Sequence, residues 1–396
     1  MSRTADVVII GGGVTGMSLA FHLARRGAGR VVVLEKKFLA AGGTGYSVGV
    51  IRQLYPHVET CRMVLRSRRV FQEFPELVGG ESGYVGCGVL IGVSPAMRPS
   101  LERSLRIQRD VGIRAELLEP EELDRLEPRI NRSGLGAVLY EPDSGYADPT
   151  AVTLGYAGAA RTLGVAIEQG VEVAAVRVEG DRVLGVVTHT GERIESRTVV
   201  NAAGLWAGPV ARLAGVTLPI VVGRHPVFIV RRTPAFGPAH SVYLDLAGGS
   251  YVRPEREGLT LTGSLTEDET RHPMDPDLLG GGVGFDEAAV ALEKTSRALP
   301  ALADCRYQHG YAGAYDITPD WMPILDESPL PGFYVAAGMS GHGFKLAPAV
   351  GELMTRLIIE GGTGLDRDPF RLARFTAGVS AGSFVNSYLT PDAGAA

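Results

Sequence analysis

The sequence predicts an α/β protein in which a parallel-sheet, Rossmann-like nucleotide-binding domain is built from discontinuous segments, with an α+β domain inserted between them. Three observations predict it. The chain opens on a strand, glycine turn, helix and strand in close succession; short strand patterns bounded by Gly and Pro fill its middle; and a strand followed by a long helical pattern returns near its end.

Taken in order, residues 6–10 read as a strand, 11–16 as a turn, 17–26 as a helix and 30–35 as a second strand, which together make one βαβ unit. Strand patterns around 84–93, 224–230 and 259–263 predict a mainly antiparallel sheet in the inserted domain. Helical patterns cover 99–111, 149–163 behind the candidate cap Asp148, 286–299 and 343–359, the last following a strand pattern at 333–337. The division that results assigns 1–80, 142–215 and 306–375 to the nucleotide domain and 81–141 and 216–305 to the substrate domain. The Gly-, Ala- and Ser-rich tail 376–396 is expected to fray or dock loosely.

A chain of 396 residues with 45% hydrophobic and 21% charged residues can bury more than one core. Its net charge of −5 leaves no basic field for nucleic acid. Cys61, Cys87 and Cys305 are far apart and have no ligand spacing, so neither a disulfide nor a metal site is expected. With no secretory pattern and no apolar run near the roughly twenty residues of a membrane helix, a cytoplasmic protein without membrane insertion is expected.

Gly11-Gly12-Gly13-Val14-Thr15-Gly16 is a G-x-G-x-x-G turn between strand and helix. Gly11 permits the tight turn, Gly13 lets the backbone approach a pyrophosphate, and Gly16 lets helix and strand pack closely. The following helix presents unpaired N–H groups to the phosphates. Glu35 ends the second strand where a ribose would be held, which suits FAD and NAD alike, whereas its charge would repel the 2′-phosphate of NADP.

Several separated segments decide for FAD. They are the Gly11 turn with Glu35, the run from Gly42 through Thr44 and Arg52 to Tyr55, Asp143 to Pro149, Val199 to Ala207, and Gly341-His342-Gly343-Phe344-Lys345-Leu346-Ala347-Pro348. In these the sequence resembles the FAD-dependent amino acid oxidase (D-amino acid oxidase/sarcosine oxidase) superfamily, especially sarcosine oxidase and its dehydrogenase relatives. The resemblance implies that Gly11, Gly13, Val14, Thr15, Gly16, Glu35, Lys36 and Thr44 hold the adenosine and pyrophosphate. It places Val173 near the adenine and Ala203 and Gly204 beside the cofactor. Gly341, His342, Gly343, Phe344 and Lys345 would then support the flavin ring, with a helix N-terminus favouring its anionic reduced form.

The same resemblance makes Arg52 and Lys345 a clamp for a substrate carboxylate, with Tyr55, Tyr251 and Tyr315 enclosing the substrate and His342 making a positioning hydrogen bond. The reaction implied is hydride transfer from the carbon beside an amine nitrogen to flavin N5, giving an imine that hydrolyses. Departures are informative: Gly313 stands where monomeric sarcosine oxidase attaches its flavin to a cysteine, so non-covalent FAD is expected there. Thr260 replaces the oxygen-activating lysine and Ser264 an active-site histidine, which leaves the amine substrate open and the acceptor as oxygen or a carrier. Relatives that act as subunits of larger complexes make that role open here as well. A 2-hydroxyacid dehydrogenase and a non-catalytic flavin subunit are the competing readings.

Overall fold

The computed structural model describes residues 2–266 and 272–376, together with Gly382, Tyr388 and Leu389. A six-stranded sheet runs in the order Ile324–Glu327, Phe333–Ala337, Val199–Asn201, Val7–Ile10, Val31–Glu35, Ala166–Gln169. Its pairs are parallel except that Ile324–Glu327 runs against Phe333–Ala337. The central strands are near-continuous runs of Val and Ile because both faces are covered. Val7, Ile9, Val31 and Val33 point to a helical layer containing Val14–Arg25, Pro149–Thr162 and Gly343–Glu360, and Val8, Ile10, Val32 and Leu34 point the other way. That second face is closed by a small sheet of Ser2–Thr4, Arg193–Glu195, Arg182–Thr188 and Val173–Glu179.

Asp148 caps Pro149–Thr162 by accepting from the Thr150 and Ala151 N–H groups at 2.9 and 3.0 Å. Helices Val14–Arg25 and Gly343–Glu360 cross closely, since a Cβ on Gly351 would lie 2.2 Å from Ser18 Oγ.

The second sheet has eight strands, ordered Arg306–Ile317, Val221–Arg231, Leu259–Ser264, Ser250–Pro254, Val242–Asp245, Val89–Val93, Ala137–Glu141, Glu116–Leu118. All neighbours are antiparallel except Val242–Asp245 with Val89–Val93. The period of two divides it: Leu90, Val138, Val230, Tyr243 and Val252 pack beneath Leu299 and Leu302, while Val89, Ile91, Leu139, Leu244 and Tyr251 join the core of the nucleotide half. The sheet therefore turns one face toward the parallel sheet, and the site forms between them.

Three expectations change. Strand Arg306–Ile317, assigned by sequence to the nucleotide segments, pairs along its length with Val221–Arg231 and belongs to the eight-stranded sheet. Helix Val58–Gln72 was not foreseen, because its buried stripe of Thr60, Val64, Ser67 and Phe71 mixes polar with apolar residues and dilutes the 3.6 period. Ser67 is useful there: its hydroxyl accepts the Ala349 N–H at 3.1 Å, just beyond Pro348 in the facing helix. Most of 376–396 lies outside the described residues, but Tyr388 and Leu389 are buried rather than frayed. No helix among the described residues is long and apolar enough to cross a membrane.

Candidate active site

A cavity of about 570 Å³ runs from the Gly11 turn to Arg52, Lys345 and Tyr315. Of the cofactor and substrate residues singled out in the sequence, all but Gly16, Tyr55 and His342 line it.

At the phosphate end the glycines are sterically required. Gly11 has φ +118° and a Cβ there would stand 2.3 Å from Ala202 O, while a Cβ on Gly16 would stand 2.0 Å from Gly11 O. Gly16 thus acts through packing and is hidden from the cavity. Helix Val14–Arg25 begins at the N-cap Gly13, and Thr44 Oγ1 accepts the Val14 N–H at 3.2 Å. The first-turn N–H groups of Thr15 and Gly16 have no acceptor within the helix and suit an anion. Glu35 accepts from the Gly12 and Lys37 N–H groups, each at 2.7 Å, which fixes a carboxylate at the strand end with lone pairs to spare. Lys36 packs its Nζ 4.0 Å over the Trp206 ring and 2.9 Å from Asp277 Oδ1, on a loop from the substrate half.

The cavity is also lined by Val173, Ala203, Gly204 and Gly313. Gly204 has φ +51° and nothing within 4 Å of a Cβ, so its open side is a place where a flat ligand can rest against backbone. Gly313 sits opposite His225 in the sheet. No cysteine lines the cavity among the described residues.

At the far end, Arg52 is 1% and Lys345 7% exposed, and neither forms an ion pair among the described residues. Arg52 donates to Leu54 O and lies 3.2 Å from His342 Nδ1; Lys345 Nζ donates to Gly341 O at 3.2 Å from the first turn of helix Gly343–Glu360. Burial, then the neighbouring Arg52 charge, holds the Lys345 ammonium well below its ordinary value. Burial followed by the charges of Arg52 and Lys345 likewise keeps His342 neutral. Since Arg52 can only donate, Nδ1 of His342 accepts and its proton is on Nε2. His342 therefore backs the arginine from outside the cavity. The buried carboxyl of Glu141 is held instead by the Gln53 N–H, Ser144 Oγ and Gln108 Nε2, all within 2.8 Å.

Tyr251 and Tyr315 form one wall with a residue that sequence reasoning missed. His225 stacks between them, its ring centre 4.3 Å from that of Tyr315 and 6.0 Å from that of Tyr251. The ring of Tyr315 lies against Gly341, where a Cβ would stand 2.9 Å from its Cζ. The signal for His225 was available in the alternation of Gly223, His225 and Val227 on one buried face of strand Val221–Arg231. Tyr55 is behind Arg52, with the guanidinium carbon 4.3 Å from its ring centre. Thr260 faces away from the cavity, bonded to Arg232 and His240 at 3.0 and 2.9 Å, and Ser264 is bonded to Thr266 at 2.8 Å.

Two sheets meeting over a glycine-lined cleft, with a helix N-terminus at one end and buried cations at the other, define a dinucleotide-dependent oxidoreductase. Residues 6–357 match the DAO family, described as FAD dependent oxidoreductase, and the chain belongs to that family. It is 29% identical to human mitochondrial sarcosine dehydrogenase, over 95% of this chain and 42% of that protein. It is 28% identical to the formaldehyde-forming 4-methylaminobutanoate oxidase of Paenarthrobacter nicotinovorans, over 93% of this chain and 45% of that protein. The chain spans less than half the length of these curated relatives. Among solved structures, the L-proline dehydrogenase from P. horikoshii superposes with a TM-score of 0.87 at 28% identity, covering 96% of this chain and all of that one. FAD fits the residues present: the first-turn N–H groups of Val14–Arg25 could take a pyrophosphate, the Glu35 carboxylate could take ribose hydroxyls, and Gly204 leaves room for a ring system.

Proposed function

We propose that this chain holds FAD without a covalent bond and oxidises the carbon–nitrogen bond of a small amino carboxylate, the carboxylate held by Arg52 and Lys345. The observation that carries this reading is the pair of buried cations at the cavity end with no acidic partner among the described residues. An unpaired buried charge is costly, and two side by side are costlier, so the site is built for an anion that arrives with the ligand. FAD, when bound, supplies a two-electron acceptor for a C–H bond beside nitrogen.

The residues of the chain supply orientation and charge. Arg52 can take a carboxylate in two parallel hydrogen bonds, and Lys345 adds a second positive centre. The same two charges lower the pKa of an amine bound next to them, which favours the neutral amine that can release hydride. Tyr251, His225 and Tyr315 give a flat wall for the carbon skeleton, and their burial excludes water from the reacting carbon. Non-covalent binding is supported by Gly313, which offers no nucleophile.

His225 favours one competing reading, a 2-hydroxyacid as substrate, because an imidazole in the wall could take the proton of an alcohol. Anaerobic mixing with N-methyl, cyclic, D- and simple amino acids and with 2-hydroxyacids separates the two. Bleaching of the flavin by an amine that is lost in Arg52→Gln or Lys345→Met supports amine oxidation. Bleaching by hydroxyacids alone overturns it. The rate at which colour returns in air then distinguishes oxygen from a carrier as the acceptor.

A further inference from the structure

Of the described residues beyond Thr376, Tyr388 reaches the site. Arg374 has its Nε 2.7 Å from Asp320 Oδ2 and its NH2 2.7 Å from Met322 O. Gly382 then donates its N–H to Pro319 O at 2.9 Å. Tyr388 and Leu389 are 7% and 2% exposed, and Tyr388 lines the cavity. Its ring centre is 3.8 Å from the guanidinium carbon of Arg52 and 6.3 Å from the His342 ring.

Arg52 is thereby held from several sides, and the Tyr388 side chain also hydrogen-bonds to it. Leu54 O and His342 Nδ1 fix its edge, and the rings of Tyr55 and Tyr388 lie against it at 4.3 and 3.8 Å. An aromatic face attracts a cation most when water is excluded, and it can neither accept a proton from Arg52 nor neutralise it. A carboxylate in the same position would occupy the charge that a ligand needs. Resting on the carboxylate-clamp reading above, we propose that Tyr388 is a positioning residue of the clamp: it stacks on Arg52, keeps water from the guanidinium and holds it turned toward the ligand. The substrate site would then include a residue supplied from beyond the region matched by the family, residues 6–357.

The test uses the FAD-loaded full chain and acetate, a carboxylate with no oxidisable amine. Its affinity is measured by calorimetry and by perturbation of the flavin absorbance, alongside flavin content and melting temperature. Tyr388→Ala is expected to weaken acetate binding about tenfold, or about 1.4 kcal/mol, and Tyr388→Phe to restore it to within about threefold because the ring remains. In an Arg52→Gln background the alanine substitution should cost nothing further, an outcome that general loosening of the fold would not give. If Tyr388→Ala disturbs folding, Tyr388→Leu fills the space without a π face and should show the same loss. Unchanged affinity in the alanine or leucine variant, with Arg52→Gln still defective, overturns the role of Tyr388 alone. Affinity indifferent to Arg52 overturns the clamp and this proposal with it.

Discussion

The two ends of the cavity are built by different means. At the nucleotide end the backbone does the work: Gly11, Gly13 and Gly204 expose peptide groups, and the first turn of Val14–Arg25 offers N–H donors. At the other end, side chains converge from strands and loops distant in sequence, with Arg52, His225, Tyr251, Tyr315 and Tyr388 meeting in one cavity. A backbone site tolerates almost no change where a Cβ has no room, whereas a side-chain site can lose one group and keep its shape. The first kind is suited to one unvarying cofactor, and the second to substrates that differ between relatives sharing a fold.

The largest effect is expected where the backbone is tightest. Gly11→Val combines an unfavourable positive φ with a Cβ 2.3 Å from Ala202 O. Strain and overpacking of about 1–3 kcal/mol each should lower FAD affinity about a hundredfold or more, read as the flavin-to-protein absorbance ratio after dialysis. A variant that keeps full flavin would break the contrast at its root.

The end of the cavity at Arg52 should show the opposite pattern. Arg52→Leu is expected to keep FAD but to raise the substrate concentration for half-maximal flavin reduction by at least about thirtyfold, since losing a buried charge partner costs about 2–5 kcal/mol. Loss of FAD in this variant would mean that Arg52 serves the cofactor instead.

This contrast also decides what could be read from the sequence. The βαβ opening, the strand Phe333–Ala337 and the helix after it were legible because buried parallel strands are continuous apolar runs and their turns admit only glycine. That Arg52 and Lys345 meet was legible through the resemblance around them, and a lysine inside a Gly/Ala/Pro stretch adds to it. Strand Arg306–Ile317 was misassigned because its Gly313 and Tyr315 belong to the site, and nearness to the cofactor is no guide to which sheet a strand joins. His225 and Tyr388 carry no motif: one depends on which face of a strand is buried, the other on where a residue distant in sequence comes to lie. Both are facts of tertiary packing.

The seam between the halves offers a pH test. Asp316 ends a strand of the eight-stranded sheet, while its Oδ2 accepts the N–H of Gly338, just past the end of a strand of the other sheet, at 2.8 Å. Burial raises its carboxyl from 3.8 to about 6. For an acid with a raised folded pKa, the associated stability is fully present below the unfolded value and is lost as pH rises through the folded one. Asp316 should therefore make the protein less stable at pH 7 than near pH 4, by about 2 kcal/mol as an order of magnitude. Asp316→Asn should flatten that part of the stability profile between pH 4 and 6, measured by urea denaturation. An unchanged slope would show that other groups govern the window.

The smallest effect is expected at the rim, where the two halves touch above the cofactor cleft. Asp277 joins Lys36 at 2.9 Å and accepts the Trp206 Nε1–H at 3.0 Å, but its side chain is 63% exposed. Water screens such a pair, and its contribution is about 0–1 kcal/mol. Asp277→Ala should therefore alter FAD affinity by less than about fivefold, with a weaker effect still at high salt. A loss approaching that of Gly11→Val would mean that the loop carrying Asp277 is a working part of the cofactor site. The division between a backbone-built nucleotide end and a side-chain-built substrate end of the cavity would then have to be redrawn at Lys36.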